Sequence, residues 1–311
     1  MKCLILGAGG VGCYFGAKLL KAGNEVLFVA RGEHLNAIQE CGLTVTHPDM
    51  SFNQKVDALD MDALTALDSS SFDVIFIATK STATHEIALF LKEWMTDKTN
   101  NPYIVSLQNG VENEDILCQY LDADKIIGGL TRKIGAHVMT HGKIEAVGRA
   151  ETILGLMQDS KEGASFLEDL THILNHAAIP TEVFLDIRKE LWKKLVINNG
   201  VNALCALLEV RTGVVMNHPK LSSIVKGLMQ ETALAAKTLH VKISQEEVDA
   251  MFELILGFDS IKPSMLVDVE HKRSLEIEQI CGVVVRNLQV QGLDAPYTKS
   301  ISALLEFKLE R

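Results

Sequence analysis

Several residue types are scarce in this chain of 311 residues, which has six prolines, six cysteines and only 5% aromatic residues. Few prolines and few aromatics disfavour a many-turned β-sandwich. The cysteines (Cys3, Cys13, Cys41, Cys118, Cys205 and Cys281) stand singly, with no CxxC pair. That excludes a zinc ribbon or a CxxC redox motif, and it reads as inert thiols in a reducing, cytoplasmic compartment. Basic residues are also short, 30 against 40 acidic, for a formal net charge of −10. A sequence-independent nucleic-acid binder needs the opposite balance, as does docking on an anionic membrane surface. No uncharged apolar run reaches the roughly 18 residues of a spanning helix. The apolar N-terminus holds Gly7, Gly9, Gly10, Gly12 and Gly16 and is broken by Lys18, so it does not read as a secretory leader. There is no G-x-S-x-G elbow, which argues against hydrolysis.

What remains is a chain of ordinary globular composition, 47% apolar and 23% charged, with a length that predicts about two domains. Residues 1–150 alternate compact apolar runs with helical stretches. Lys2–Leu6 is followed by glycines and a helix to about Lys21, and EVLFVA at 25–30 is a second buried strand. DVIFIAT at 73–79 and YIVSL at 103–107 continue the series, again without polar alternation. Such runs belong to a parallel sheet covered on both faces, so the spacing predicts βαβ units and the α/β class. Residues 126–156 carry short β-like runs with Gly142, Gly148 and Gly155 and predict an antiparallel extension. Beyond about 186 the patterning is helical, apart from the ambiguous Val283-Val284-Val285. Pro219 and Pro263 sit where helices can begin, and Gly292 with Pro296 separates the last two. The expected organisation is a Rossmann dinucleotide-binding domain over 1–184 and an all-helical domain over 185–311.

Gly7-Ala8-Gly9-Gly10-Val11-Gly12 is a G-x-G-x-x-G that follows the first strand and opens a helix, which is the context the dinucleotide fingerprint requires. The first glycine serves a tight turn, the second a close approach to pyrophosphate and the third helix–strand packing. About twenty residues further on, an NAD-binding chain offers an acidic residue. Here stand Ala30 and Arg31, with Glu33 two positions later. An arginine suits a 2′-phosphate, so the expected coenzyme is NADP(H). Lys80, at the end of the strand DVIFIAT, is a second cation at a strand's carboxyl end, equally readable as a solvated lysine.

In the second half, ELWKKLVINNGVNALCALL (190–208) is mostly apolar, yet Lys194, Asn198 and Asn202 recur at i, i+4 and i+8 on one helical face. Burying such groups unpaired would cost several kcal/mol, and a ligand-facing stripe resolves the cost; a plain surface stripe is the alternative. Lys193 points about 100° away and is the expected solvent-exposed neighbour.

The segment Glu190-Leu191-Trp192-Lys193-Lys194-Leu195-Val196-Ile197-Asn198, followed by Asn202, resembles the helix signature of the ketopantoate reductases. Other blocks fall in that family's order: Gly7–Gly12, Arg31, the Lys80 strand end, Gln108-Asn109-Gly110, Pro263-Ser264-Met265-Leu266-Val267-Asp268, and Glu276 before Gly282. The resemblance spans essentially the whole chain. It implies a Rossmann domain followed by a helical domain, and reduction of 2-dehydropantoate to (R)-pantoate with NADPH, a step of pantothenate synthesis. It carries the general acid onto Lys194, the substrate-hydroxyl contact onto Glu276, and substrate contacts onto Asn198, Asn202 and Ser264. Asn109 would sit by nicotinamide and substrate, with Arg31 and Lys80 at the adenosine-phosphate end. The sequence departs from the family at Thr212, where some members carry a substrate-side Asn. It also departs at Leu-Glu-Ile-Glu-Gln-Ile around Glu276, where Thr-Glu-Ile-Asp-Tyr is commoner, and at Gly200, which is expected to interrupt the active-site helix.

A lysine amid apolar packing can have its pKa drawn down and donate a proton to the oxygen formed by hydride transfer. No metal is expected: His172 and His176 are spaced i, i+4 on a helix but lack the Glu of HExxH, and His137 and His141 have no third ligand. Ser244 with Glu246 and Glu247 reads as a capping box. The expected partner is a small-molecule 2-oxoacid, with no nucleic acid and no membrane; a homodimer is compatible with the sequence and not determined by it. Two alternatives stand beside this reading: a related NADPH-dependent reductase of another branched 2-oxoacid, and a non-catalytic NADP(H)-sensing protein.

Overall fold

The computed structural model describes residues 1–96, 100–258 and 261–310. Internal contacts divide the chain into a sheet unit, Met1–Gln108 with Glu112–Ile187, and a helical unit, Asn109–Val111 with Arg188–Arg311. The strands are β1 (Lys2–Leu6), β2 (Glu25–Val29), β3 (Leu43–His47), β4 (Met50–Gln54), β5 (Asp57–Leu59), β6 (Val74–Ile77), β7 (Tyr103–Ser106), β8 (Ile126–Thr140), β9 (Lys143–Leu156) and β10 (Thr181–Val183). The helices of the sheet unit are α1 (Gly10–Lys21), α2 (Gly32–Cys41), α3 (Met61–Leu64), α4 (Thr84–Trp94), α5 (Asn113–Tyr120) and α6 (Lys161–His176). Then come α7 (Ile187–Leu208), α8 (Thr212–Met216), α9 (Pro219–Thr238), α10 (Gln245–Leu256), α11 (Ser264–Glu270), α12 (Val283–Val290) and α13 (Pro296–Leu309).

The strands form one sheet in the order β4-β3-β9-β8-β7-β6-β1-β2-β5, with β10 beside β9. From β5 to β8 every neighbouring pair is parallel. That stretch has the doubly wound order of a Rossmann fold, whose direction of winding reverses between β1 and β6. The unbroken apolar strands have the expected cause. Cys3, Ile5, Val74, Phe76 and Val105 enter a core with α1 and α6, while Leu4, Leu6, Ile75, Ile77 and Ile104 enter a second core with α4 and α5. Each strand is therefore buried on both faces.

Residues 126–156 are one long hairpin, not several short runs: β8 and β9 pair antiparallel from Ile127↔Leu156 to Thr140↔Lys143. Gly148 and Gly155 lie within β9 and do not end it, whereas Gly142 sits in the turn between the two strands. Gly148 takes φ +86°, opposite a register shift next to Lys133 at φ +61°, so a bulge absorbs the break. β3 and β4, a second antiparallel hairpin inside the crossover after β2, extend the sheet past β9.

In the helical unit α9 touches α8, α10, α12 and α13. Pro219 and Pro296 open α9 and α13 in their first turns, and Pro263 immediately precedes α11. Val283-Val284-Val285 is helical, with Val283 and Val284 buried. A buried Glu231 on α9 accepts hydrogen bonds from the backbone N–H of Tyr297 and Thr298 (2.8 Å each) and from Thr298 Oγ1 (2.7 Å). Its carboxylate supplies the N-terminal cap that Ala295 cannot, and negative charge at a helix start is favourable. Ser244 and Glu247 make the expected capping box on α10. Among the described residues no helix is long and apolar enough to cross a membrane.

Candidate functional site

The glycine turn lies at the carboxyl end of β1, beside the end of β6. Gly7 has φ +99°, and a Cβ on it would lie 2.7 Å from the Thr79 methyl. Only glycine meets both demands. Its N–H and that of Ala8 donate to Val29 O at 3.2 and 2.9 Å, tying the turn to the end of β2. A Cβ on Gly12 would collide with Gly7 O, and one on Gly10 with Ala136 O. Gly9 differs: a side chain there would meet nothing within 4 Å. It is the N-terminal flanking residue of α1, with no side-chain cap. The first amides of α1 have no intrahelical acceptor, and the helix dipole favours an anion beside them. An open, glycine-walled cradle at a helix start is what a dinucleotide pyrophosphate needs, so these residues fit the group that the sequence implies.

Arg31 is exposed and flanks the start of α2, just past the carboxyl end of β2. Glu33, the nearby carboxylate, pairs with His141 at 3.0 Å. Lys80 follows β6 and is half-buried, and its backbone carbonyl accepts from Gln108 Nε2 at 3.2 Å. Gln108 is itself buried and also reaches Thr79 Oγ1 (3.1 Å) and Thr84 Oγ1 (2.9 Å), and Thr84 Oγ1 bonds Asn113 Oδ1 at 2.8 Å. This amide staple between the ends of β6 and β7 has no separate sequence signal beyond its place before Asn109.

The helical unit holds the remaining candidates. α7 runs through Gly200 without a break, because Gly200 faces Met229 of α9, where a Cβ would come within 2.8 Å of Met229 Cγ. The glycine is there for close helix packing. Along α7 the stripe deepens: Lys194 and Asn198 are half-buried, and Asn202 is 3% exposed. Asn202 Nδ2 lies 3.5 Å from Ser264 Oγ, in the first turn of α11. Lys193 is not a simply solvated neighbour, since its ammonium pairs with Glu190 at 2.9 Å. Thr212 is buried in the first turn of α8, its N–H on Ile261 O at 3.1 Å, so its side chain is turned away from solvent.

Glu276 is buried and accepts from Asn109 Nδ2 at 3.3 Å. Asn109 belongs to the short segment that packs with the helical unit. Two residues after Glu276 the chain enters α12 through a π-helical turn, Glu278–Gly282, a form frequent at functional sites. The structure thus joins Asn109 to Glu276 and Asn202 to Ser264, and sets Lys194 and Asn198 on the Asn202 face of α7. His172 and His176 lie on α6, whereas His137 is in β8 and His141 in the hairpin turn. Among the described residues no group of three or more His, Cys, Asp or Glu is assembled to hold a metal ion.

A family model described as "Ketopantoate reductase PanE/ApbA" matches residues 3–159, and its C-terminal counterpart matches 186–309. The chain is 31% identical to a 2-dehydropantoate 2-reductase of Pyrococcus abyssi, over 99% of this chain and 98% of that one. A solved 2-dehydropantoate 2-reductase from Geobacter metallireducens superposes with TM-score 0.86 at 26% identity, covering 99% of this chain and all of the other. The ternary structure of D-mandelate dehydrogenase with NADH and anilino(oxo)acetate superposes with TM-score 0.90 at 25% identity, covering all of this chain and 98% of that one.

Proposed function

The chain belongs to the ketopantoate reductase family, and from that premise we propose that it is an NADPH-dependent oxidoreductase that reduces 2-dehydropantoate to (R)-pantoate. The observation that carries the reading is the polar stripe of α7, which descends from half-buried Lys194 to buried Asn202 and on to Ser264. Burying amides along an apolar stretch costs free energy unless they are hydrogen-bonded. Asn199 is satisfied by Thr232 and Thr298 of the protein, and on the Lys194 face a bound 2-oxoacid would add acceptors and donors of its own.

The coenzyme, when bound, supplies hydride to the ketone carbon. Gly7–Gly12 and the start of α1 would hold its pyrophosphate, Arg31 and Lys80 its adenosine-phosphate end, and Asn109 the nicotinamide side. Arg31 favours the 2′-phosphate, because a guanidinium grips phosphate oxygens with charge-assisted bonds. Lys194 Nζ delivers the proton that neutralises the oxygen formed at the former ketone. General acid catalysis of this kind contributes about 10²–10⁴-fold. Asn198, Asn202 and Ser264 orient the 2-oxoacid. Glu276, held by Asn109, accepts the substrate's hydroxyl, which selects ketopantoate over oxoacids without one. Among the described residues no disulfide joins the six cysteines, which fits a reducing cytoplasm.

A second reading, a reductase of a different 2-oxoacid, is favoured by the likeness to D-mandelate dehydrogenase. NADPH consumption followed by absorbance with a panel of alkyl and aryl 2-oxoacids separates the two. Turnover concentrated on ketopantoate supports the first reading, and turnover concentrated on another oxoacid supports the second. Tight NADPH binding without turnover of any of them supports a sensor.

A further inference from the structure

We propose that His34 is a positioning residue for the phosphate-binding turn: its imidazole holds the Ala8 carbonyl so that the Gly9 N–H faces the coenzyme. This rests on the coenzyme reading above. His34 stands in the first turn of α2, three residues after Arg31. Its Nε2 lies 2.7 Å from Ala8 O, and its Nδ1 is 3.2 Å from the backbone N of Gly142 in the β8–β9 turn. Because the Gly142 N–H can only donate, Nδ1 is the bare nitrogen, and the ring proton sits on Nε2 and points at Ala8 O. The same carbonyl accepts the Cys13 thiol at 3.1 Å, while the Ala8 N–H is on Val29 O at 2.9 Å.

The Ala8–Gly9 peptide is trans, so its C=O and N–H point in opposite directions. Two donors drawing Ala8 O toward the protein therefore turn the Gly9 N–H the other way, at the residue whose missing side chain leaves open space. Were this peptide to rotate, a carbonyl lone pair would face the phosphate and oppose binding. One imidazole thus joins three segments: the glycine turn, the α2 turn that carries Arg31, and the β8–β9 turn. Burial holds its pKa below the ordinary histidine range, which keeps the neutral tautomer that this geometry uses.

Fluorescence titration of NADPH and NADH with the wild-type protein, His34→Gln, His34→Asn and His34→Ala tests the idea, together with kcat and KM. Gln keeps an amide donor within reach of Ala8 O; Asn keeps an acceptor for Gly142 but loses the Ala8 contact. The expected result is that Asn and Ala weaken both coenzymes alike, by roughly 10-fold for one lost hydrogen bond. Gln should restore most of the affinity, and kcat at saturating coenzyme should stay near wild type in all three. A role confined to folding would lower thermal stability without separating Gln from Asn. Unchanged coenzyme affinity in Asn and Ala, or a Gln variant as weak as Asn, overturns the inference while the coenzyme reading stands. A wild-type protein that binds neither coenzyme overturns both.

Discussion

Asn109 and Glu276 stand 167 residues apart in the chain and meet in a hydrogen bond from Nδ2 to Oε2 at 3.3 Å. Through that bond the side chain proposed to receive the substrate's hydroxyl is oriented by the residue proposed to lie beside the nicotinamide. Glu276→Gln is expected to raise KM for ketopantoate by roughly 10–100-fold, the effect of losing a charge-assisted hydrogen bond. Asn109→Ala should act in the same direction, and the double variant should cost less than the sum of the two, because each single change already removes their shared contact. Strict additivity in kcat/KM would show that the pair does not act together.

Lys194→Ala should lower kcat by about 10²-fold or more and leave NADPH affinity nearly unchanged. Lys193→Ala is the matched control. It removes the pair with Glu190, in which the lysine is 30% and the carboxylate 9% exposed, so its cost falls on stability, through a buried carboxylate left without its cation, and not on kcat. Steady-state kinetics beside coenzyme titration separates the two lysines, and equal activity in Lys194→Ala removes it from the mechanism.

Arg31→Ala should weaken NADPH by roughly 10–100-fold while NADH changes little, since only the former carries the 2′-phosphate. Added salt should weaken NADPH more in the wild type than in the variant, because screening acts on a pair the variant lacks. If both coenzymes weaken equally, Arg31 holds the α2 turn and not the phosphate.

Glu231→Ala should destabilise the helical unit by about 2–3 kcal/mol, because it strips the buried donors of Thr298 and the partly buried N–H of Tyr297 of a charged acceptor. Thermal or denaturant unfolding reads the loss. Coenzyme affinity at low temperature should not change, because Glu231 is not among the residues proposed to hold the coenzyme.

His34 should titrate below its ordinary value of 6.5, because burial disfavours the imidazolium and His141, at a ring distance of 6.2 Å, adds repulsion against the favourable bond to Ala8. The unfolded chain then binds the proton more readily than the folded one. This contribution to stability is complete above 6.5 and is lost as pH falls toward the folded value. NMR titration of the His34 ring checks the direction, and an upward shift would contradict it.

The parts of the fold readable from sequence are those in which local pattern and tertiary environment agree. β1, β2, β6 and β7 are continuous apolar runs because both faces are covered, and the glycine turn is diagnostic because it sits between a strand and a helix. The β3–β4 hairpin escaped that reading although Leu43, Val45, Met50 and Phe52 alternate with polar residues, because a crossover is expected to be helical. In the β8–β9 hairpin, glycines that serve a bulge and close strand packing looked like chain breaks. Gly200 and Val283-Val284-Val285 gave local signals against helix that packing against other helices overrides. At the site, the α7 stripe was legible because its spacing is local. The links from Asn109 to Glu276 and from His34 to Ala8 were not, since each depends on residues that only the fold brings together.

The most direct test of the account is kcat/KM for NADPH-dependent reduction of ketopantoate, measured against that of the same 2-oxoacid lacking the hydroxyl. A site built to bond a substrate hydroxyl rejects the analogue without it, because its own polar groups are left unpaired. The account predicts turnover of ketopantoate with a preference of roughly 100-fold or more, and a collapse of that preference in Glu276→Gln. Equal turnover of the two oxoacids, or none of ketopantoate, would contradict it.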